Sequence, residues 1–421
     1  MPQHFIWGEF VENSVNNKMN LVILPFHDWK KNEIEGFRNR DGHLIQHFEK
    51  DNRINKILVV DRPVSFPEMV LKRRPWRIRN GEVLKKNFPY CLTQVSDKTF
   101  VLDIFSGDIF RPLVMQRDWW SFIFRQPRII KIIKENVSYL NIENPILFSW
   151  SPMCSGIFGK LDERLLVFDI MDNWLKHPEI EDKRKLIATT FRKIKKEADI
   201  IFVVSQVLKE EFSDAKGLVS LIPNGVDQEF FKVTQREVPS GLRELSRPIV
   251  GYAGHLGKRI DIALLSFLAQ QLSRINFIFL GSFLDKRWVR SLFKYKNIHF
   301  LGDKHYSQLP SYLNSFDICI IPHNVGELEN EGDPIKLYEY LAAGKPVVTT
   351  PIAGVDVFKD VITIARTKEE FRDGIIYWLK RIKEEPNLSE KLRANITKEH
   401  LWSTKAEQML DIIEEKVKEI A

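Results

Sequence analysis

The feature that most constrains this chain is a series of short, uninterrupted apolar runs, each separated from the next by enough residues to form a helix. The first half holds LVILPF (Leu21 to Phe26), KILVVD (Lys56 to Asp61), ILFSW (Ile146 to Trp150), LLVFD (Leu165 to Asp169) and DIIFVVS (Asp199 to Ser205). A strand with one wet face alternates apolar and polar residues, whereas a strand covered on both faces is apolar throughout, as in parallel sheets flanked by helices. Helices are predicted over Asp41 to Asp51 and over the basic stretch Lys183 to Lys196. The theme repeats as IVGYAG, NFIFLG, NIHFLG, DICIIP and PVVTT, with a helix expected from Asp261 to Ser273. Between the halves, KVTQREVPSGLRELSRP is polar and punctuated by two prolines and a glycine, which marks a linker. The expected fold class is therefore α/β, with two doubly wound Rossmann-like domains at 1–235 and 236–399 and a closing helix in 400–421. In such sheets ligands bind in the crevice at the carboxyl ends of the strands.

A length of 421 residues suits two cores of this kind better than one or three. No window approaches the ~18 apolar residues of a membrane-spanning helix, and the start of the chain lacks a signal pattern, so a cytoplasmic location is expected. Cys91, Cys154 and Cys319 lie far apart without metal-ligand spacing, and no chemistry is assigned to them. No Asp-x-Asp occurs and the ten histidines are read as forming no H-x-x-x-H cluster, so no metal or other cofactor is expected. Asp169 and Asp172 (DIMD) are too few ligands for a metal site by themselves.

Lys and Arg number 63 against 56 Asp and Glu, an excess of seven positive charges that is unevenly placed. Lys183 to Lys196 holds seven basic residues and no acidic one, and Leu71 to Lys86 holds seven basic residues and one Glu. Between them lie Trp119, Trp120, Phe122 and Phe124. Together these stretches are expected to give the first domain a peripheral contact with an anionic membrane face, a solvated surface being the plain alternative. No nucleic-acid partner is expected, because no binding module or stacking pattern is present.

The segment Glu331 to Thr350 (EGDPIKLYEYLAAGKPVVTT) reads as a helix with firm ends. Asp333 suits the N-cap, Pro334 the first helical position, Gly344 the left-handed position after the helix, and Pro346 stops it before a strand. Its first turn, through Ile335, directs N–H groups outward as an anion site. Lys336 and Glu339 are three apart and share a face. An ammonium for a pyrophosphate beside a carboxylate for two vicinal hydroxyls is what a nucleotide diphosphate sugar requires.

This segment, with IPNGVDQEFF (Ile222 to Phe231), GYAGHLGKRID (Gly251 to Asp261) and HLWSTKAEQML near the end, resembles the family-4-type glycosyltransferases of GT-B architecture, in the branch that includes teichuronic acid biosynthesis transferases. The resemblance implies two Rossmann-like domains facing a cleft, with the C-terminal helix crossing back onto the first. It implies an enzyme that moves a sugar from a nucleotide diphosphate donor to a surface-glycan or lipid-linked acceptor, with retention. By the same resemblance Glu339 holds the ribose hydroxyls, Glu331 touches the transferred sugar, and Arg259, next to Lys258, neutralises the diphosphate with Lys336. Gly254 and the backbone of Phe300, Leu301 and Gly302 complete the donor side, the latter near the base. Where many members carry a second glycine, this chain has Gly332-Asp333-Pro334.

On the acceptor side His27 and Asp172 follow strands whose ends should face the cleft, and Arg38 and Arg40 lie in the loop after the first. A structural histidine and surface charges are the competing readings of these four. Asn224-Gly225 reads as a turn near the cleft. A non-catalytic nucleotide-sugar binder, and a sugar phosphorylase or epimerase on the same fold, remain as alternatives.

Overall fold

The computed structural model describes residues 18–116, 118–176, 183–232, 237–326 and 332–420. Glu331 lies outside the described residues.

The apolar runs form two sheets. The first contains β1 (Met19–Leu24), β2 (Ile54–Val60), β3 (Val64–Ser65), β4 (Glu82–Asn87), β5 (Tyr90–Gln94), β6 (Thr99–Ser106), β7 (Ile146–Ser149), β8 (Leu165–Ile170), β9 (Ile200–Val203) and β10 (Leu218–Leu221). Its order is β10-β9-β8-β7-β1-β2-β6-β5-β4, with β3 beside the end of β6. Every pair is parallel except β4–β5 and β5–β6, which turn back on themselves at one edge. That edge hairpin is missing from the sequence reading. Its outer strand, EVLKKN, is charged and exposed, as an unpaired edge must be, and so carries no apolar run.

The second sheet contains β11 (Ile249–Ala253), β12 (Asn276–Leu280), β13 (Ile298–Gly302), β14 (Ile318–Ile321), β15 (Val347–Thr349) and β16 (Thr363–Ile364). All are parallel, in the order β13-β12-β11-β14-β15-β16. This is the doubly wound arrangement, with its reversal between β11 and β14. The first sheet reverses between β1 and β7. Each reversal opens a crevice at the strand carboxyl ends, and the two crevices face one another.

The last helix, Trp402–Glu419, belongs to the first domain by packing. Trp402, Ala406, Met409, Leu410 and Ile413 recur at helical spacing and are buried with Leu44, Ile45 and Phe48 of the helix Arg40–Lys50. The chain thus crosses between domains twice, and the crossings touch. Val226 N–H donates to His400 O at 2.9 Å and Trp402 N–H to Val226 O at 3.2 Å. Gly225 permits this approach, since a Cβ there would stand 2.9 Å from His400 O.

Beside the crossings runs a buried chain of polar contacts. Arg40 donates from Nε to Asp169 Oδ2 (2.7 Å) and from Nη1 to Asn224 Oδ1 (3.2 Å). Asn224 N–H donates to Asp333 Oδ2 (2.6 Å), and Tyr338 Oη–H to Asp333 Oδ1 (2.9 Å). Two expectations are corrected here. Asp333 does not cap the helix Ile335–Ala342, because both its carboxylate oxygens are taken by Asn224 and Tyr338; Pro334 occupies the cap position instead. Arg40 is not an acceptor contact but a fully buried strut, its charge committed to Asp169. Gly344 does adopt a left-handed conformation, φ 67°, where the helix ends.

A third correction concerns the aromatic segment. Trp119 and Phe124 are buried with Met153, Cys154 and Ile157 in the first core, because the short helix Asp118–Ile123 turns them inward. They are not available to a membrane.

Replacing Arg40 by Met would leave the Asp169 carboxylate buried with only the Trp150 indole N–H as partner. Breaking one side of a buried ion pair costs about 3–5 kcal/mol. Urea denaturation of Arg40→Met should show a loss of that order, and a loss below about 1 kcal/mol would contradict the strut.

Candidate functional site

The facing crevices form one cleft of about 700 Å³. Its far wall is built on the reversal point of the second sheet. Gly254 follows β11 and Gly281 follows β12, with φ of 153° and 137°. A Cβ on Gly281 would stand 2.0 Å from Gly254 O, so the two loops touch only because Gly281 is bare. A Cβ on Gly254 would stand 2.8 Å from the Tyr252 hydroxyl and 3.1 Å from Lys336 Cε. Backbone is thereby exposed to the cleft where a side chain would fill it.

The helix Ile335–Ala342 is pinned to this wall from behind. Leu337, Tyr340 and Leu341 are buried, and Ala253 N–H donates to the Tyr340 hydroxyl at 2.8 Å. That bond fixes the helix against the end of β11, and its other face presents Lys336 and Glu339 to the cleft. Lys336 Nζ lies over the Tyr252 ring, 5.6 Å from its centre. Glu339 is 5% exposed. Burial raises its carboxyl from the usual range to about 7, against the pull of Tyr306 and Lys336. The Tyr306 hydroxyl is buried beside the Glu339 and Asp227 carboxylates. Burial, then the Glu339 and Asp227 carboxylates, keep that phenol well above its usual range.

Two ion pairs reach across the cleft from the first domain. Arg38 meets Asp303 through both terminal nitrogens, at 2.6 and 3.1 Å, and also Glu35 at 2.9 Å. Arg259 donates to Asp172 at 2.8 Å. His255, bonded to Ser282 Oγ at 2.8 Å, is pushed down to about 4 by burial and then by Arg38 and Lys31, so it is neutral at ordinary pH.

On the near wall His27 is oriented by Asp41. The carboxylate accepts the His27 backbone N–H at 2.8 Å and stands 3.0 Å from the ring Nδ1. Burial opposes the Asp41 charge, but His27 and the backbone N–H groups of His27 and Gly42 outweigh it and hold the carboxyl below its usual range. An acceptor on Nδ1 places the proton there and leaves Nε2 as the ring's acceptor. Further along, Arg62 is paired with Glu68 at 2.9 Å and lies 4.1 Å over the Trp120 ring, and Arg74 is paired with Asp28.

Of the residues singled out from sequence, His27, Arg38, Arg40, Asp172, Gly254, Arg259, Asp333, Ile335, Lys336 and Glu339 all line this one cleft. Lys258, Phe300, Leu301 and Gly302 do not line it. Phe300 stacks among Phe279, Phe283 and Phe293, and Leu301 packs on the second core, because alternate residues of β13 must cover its faces. Their neighbours Asp303 and Lys304 reach the cleft instead. Tyr306, His255, Arg62 and Arg74 escape the sequence reading. His255 sits in the GYAGHLGKRID segment and Arg74 in the basic stretch, but neither is singled out there, and Tyr306 and Arg62 belong to no motif.

Among the described residues no three His, Cys, Asp or Glu stand together as metal ligands. The histidine reading is corrected at one place: His43 and His47 are spaced H-x-x-x-H, one helical turn apart, and both face Asp227, at 3.3 and 3.8 Å. His43 is wedged between the Trp402 and Tyr306 rings, and burial lowers it to about 4.

Comparison with known proteins agrees with this geometry. Residues 247–381 match the family model described as glycosyl transferases group 1. The chain is 28% identical over 216 residues to TuaH of Bacillus subtilis (strain 168), named as a putative teichuronic acid biosynthesis glycosyltransferase. That match takes in 48% of this chain and 54% of TuaH, so it spans about half the length of the relative. Sucrose-phosphate synthase from Thermosynechococcus elongatus superposes with a TM-score of 0.71 at 14% identity, covering 94% of this chain and 99% of that one. HepE of Anabaena, solved in complex with UDP-glucose, gives 0.64 at 14% identity with the same coverage. The architecture is GT-B.

The Glu339 carboxyl generates a test of its own. Between the ordinary carboxyl value of 4.5 and the folded value of about 7, the unfolded chain has released this proton while the folded protein keeps it. Stability is therefore lost as pH rises through that window, by about 3 kcal/mol in full. Glu339→Gln should stabilise the ligand-free protein at about pH 8 and leave it unchanged near pH 4. Thermal denaturation at the two pH values checks this; equal effects at both would show that Glu339 is not held proton-bearing.

Proposed function

We propose that this chain, a GT-B protein whose residues 247–381 are a group 1 glycosyl transferase domain, moves a sugar from a nucleotide diphosphate donor to a glycan acceptor. One observation carries the reading. Glu339, a nearly buried carboxyl group, shares a helix face with Lys336 beside the bare backbone of Gly254 and Gly281. Vicinal ribose hydroxyls would satisfy that carboxylate, and their donated hydrogen bonds favour its ionised form. The diphosphate then lies toward Lys336 and the Gly254 loop. HepE, on the same fold, is solved in complex with UDP and with UDP-glucose.

The diphosphate leaves, so charge builds on its oxygens in the transition state. Lys336 and Arg259 are the cations in place to meet it, and preorganised positive charge in a cleft is the strongest catalytic contribution such a site offers. Arg259 is engaged by Asp172 without a donor, so donor binding exchanges one anion for another on the same guanidinium. Glu331 is assigned to the transferred sugar. The acceptor enters from the first domain, where His27, held by Asp41, presents an imidazole nitrogen to a hydroxyl. The acceptor class is a surface glycan or a lipid-linked glycan, transfer proceeds with retention, and no metal takes part.

Incubating the purified protein with a panel of nucleotide diphosphate sugars should release one nucleoside diphosphate. Release undiminished in excess EDTA is expected, and loss restored by Mg²⁺ would overturn the metal-free arrangement. Glu339→Ala should weaken the nucleoside diphosphate itself by about tenfold or more, roughly 1.4 kcal/mol or greater. Glu331→Ala should leave that affinity nearly unchanged and depress turnover. Calorimetry showing wild-type nucleotide affinity in Glu339→Ala would refute the ribose assignment.

A further inference from the structure

The structure exposes apolar side chains in one place far more than elsewhere. Among the described residues 22 large hydrophobics are exposed, and nine of them lie between Phe66 and Val114. The most exposed of these nine are Leu71 at 72%, Phe88 at 78%, Phe110 at 78% and Val114 at 82%. The short helix Phe110–Met115 buries none of its six residues although it reads FRPLVM. Phe110, Leu113 and Val114 of this helix face solvent, while Met115 packs on the first core.

These residues form a single edge of the first domain. The pairing of β3 with the end of β6, Val64 to Phe105 and Ser65 to Ser106, sets the helix Phe66–Leu71 beside the chain entering Phe110–Met115. The Phe105 ring meets Phe88 at 5.5 Å and Trp76 at 6.2 Å, which brings in the β4–β5 turn. Lys72 and Arg73 follow the helix Phe66–Leu71, Arg111 lies in the helix Phe110–Met115 and Lys86 precedes the Phe88 turn; all four are exposed, and Arg111 pairs with Asp108 at 3.5 Å. An apolar face flanked mainly by positive charge complements an anionic bilayer, whose headgroups attract the cations while the face enters the acyl boundary.

We infer that this edge, the helices Phe66–Leu71 and Phe110–Met115 with the Phe88 turn, docks the protein on an anionic lipid bilayer. The basic helix Arg184–Glu197 takes no part. Its apolar side is buried, and Lys193 and Lys195 are spent on Ser155 O, Glu211 O and Asp214. The position of the edge gives the docking a use. Glu68 of the first docking helix holds Arg62, and Arg62, Arg74 and Trp120 line the end of the cleft assigned to the acceptor. A lipid-linked acceptor would enter there without leaving the surface. The inference deepens the transferase reading but stands on the exposed edge alone.

The full chain is sedimented with vesicles of phosphatidylcholine alone and with an added portion of phosphatidylglycerol, in low and high salt. Binding is expected only with the anionic lipid, reduced but not abolished by salt. Phe110→Ser combined with Val114→Ser should weaken it about tenfold or more. Those residues are exposed, so the fold and nucleotide affinity should be unchanged, and this control separates failure here from failure of the donor reading. Lys72→Glu with Arg73→Glu should remove the salt-sensitive part, and Lys185→Glu with Arg192→Glu should change nothing. Absence of pelleting, binding indifferent to Phe110 and Val114, or a concentration-dependent dimer abolished by the same pair would each overturn the proposal, the last in favour of a second copy of the chain.

Discussion

The cleft exists because two domains are tied by a buried polar chain that none of its members can leave cheaply. Asp169 ends a strand of the first sheet and Asp333 precedes the site helix of the second, and burial acts on both carboxylates. Arg40 and Asn224 stand between them, so the charge of one domain is answered through the linker of the other. Burial still raises Asp169, and lifts Asp333 to about 6, which reflects how dry this hinge is. Removing any one group strands the next, and that penalty fixes where the linker crosses and hence where Lys336 and Glu339 face.

From that tie the site follows in steps. Asn224 holds the segment before the helix Ile335–Ala342, and Tyr340 holds the helix against β11, so the Glu339 carboxylate is placed from both sides before any ligand arrives. A preorganised carboxylate is one raised in energy. Burial of Glu339, away from water, raises its carboxyl to about 7. The cations are handled differently. Arg38 and Arg259 are each engaged by an acid of the opposite domain, so their charges are answered across the width of the cleft.

Much of the fold was legible because parallel strands buried on both faces must be apolar throughout, and IVGYAG, KILVVD and DICIIP can be little else. The edge hairpin was not, since EVLKKN answers to solvent. The pair Lys336 and Glu339 was legible because helical spacing alone puts them on one face. Asp333 was misplaced for the opposite reason: local chemistry makes it a cap, and a residue 109 positions away takes its oxygen. Tyr306 belongs to no motif and matters only through neighbours brought in by the tertiary fold, whereas His255 stands in the quoted GYAGHLGKRID segment and only its burial marks it out. The aromatics from Trp119 to Phe124 show the limit of composition, which identifies amphipathic material without saying which side is wet. The membrane-like face came instead from Phe110 and Val114, whose exposure no sequence pattern announces.

The central claim is that the cleft holds a nucleoside diphosphate with its ribose on Glu339. A crystal structure of the full chain with UDP as probe tests it most directly. The account predicts both ribose hydroxyls within hydrogen-bond distance of the Glu339 carboxylate and the diphosphate against Lys336 and the Gly254 loop. UDP bound in the cleft with its ribose turned away from Glu339, or bound outside the cleft, would contradict it.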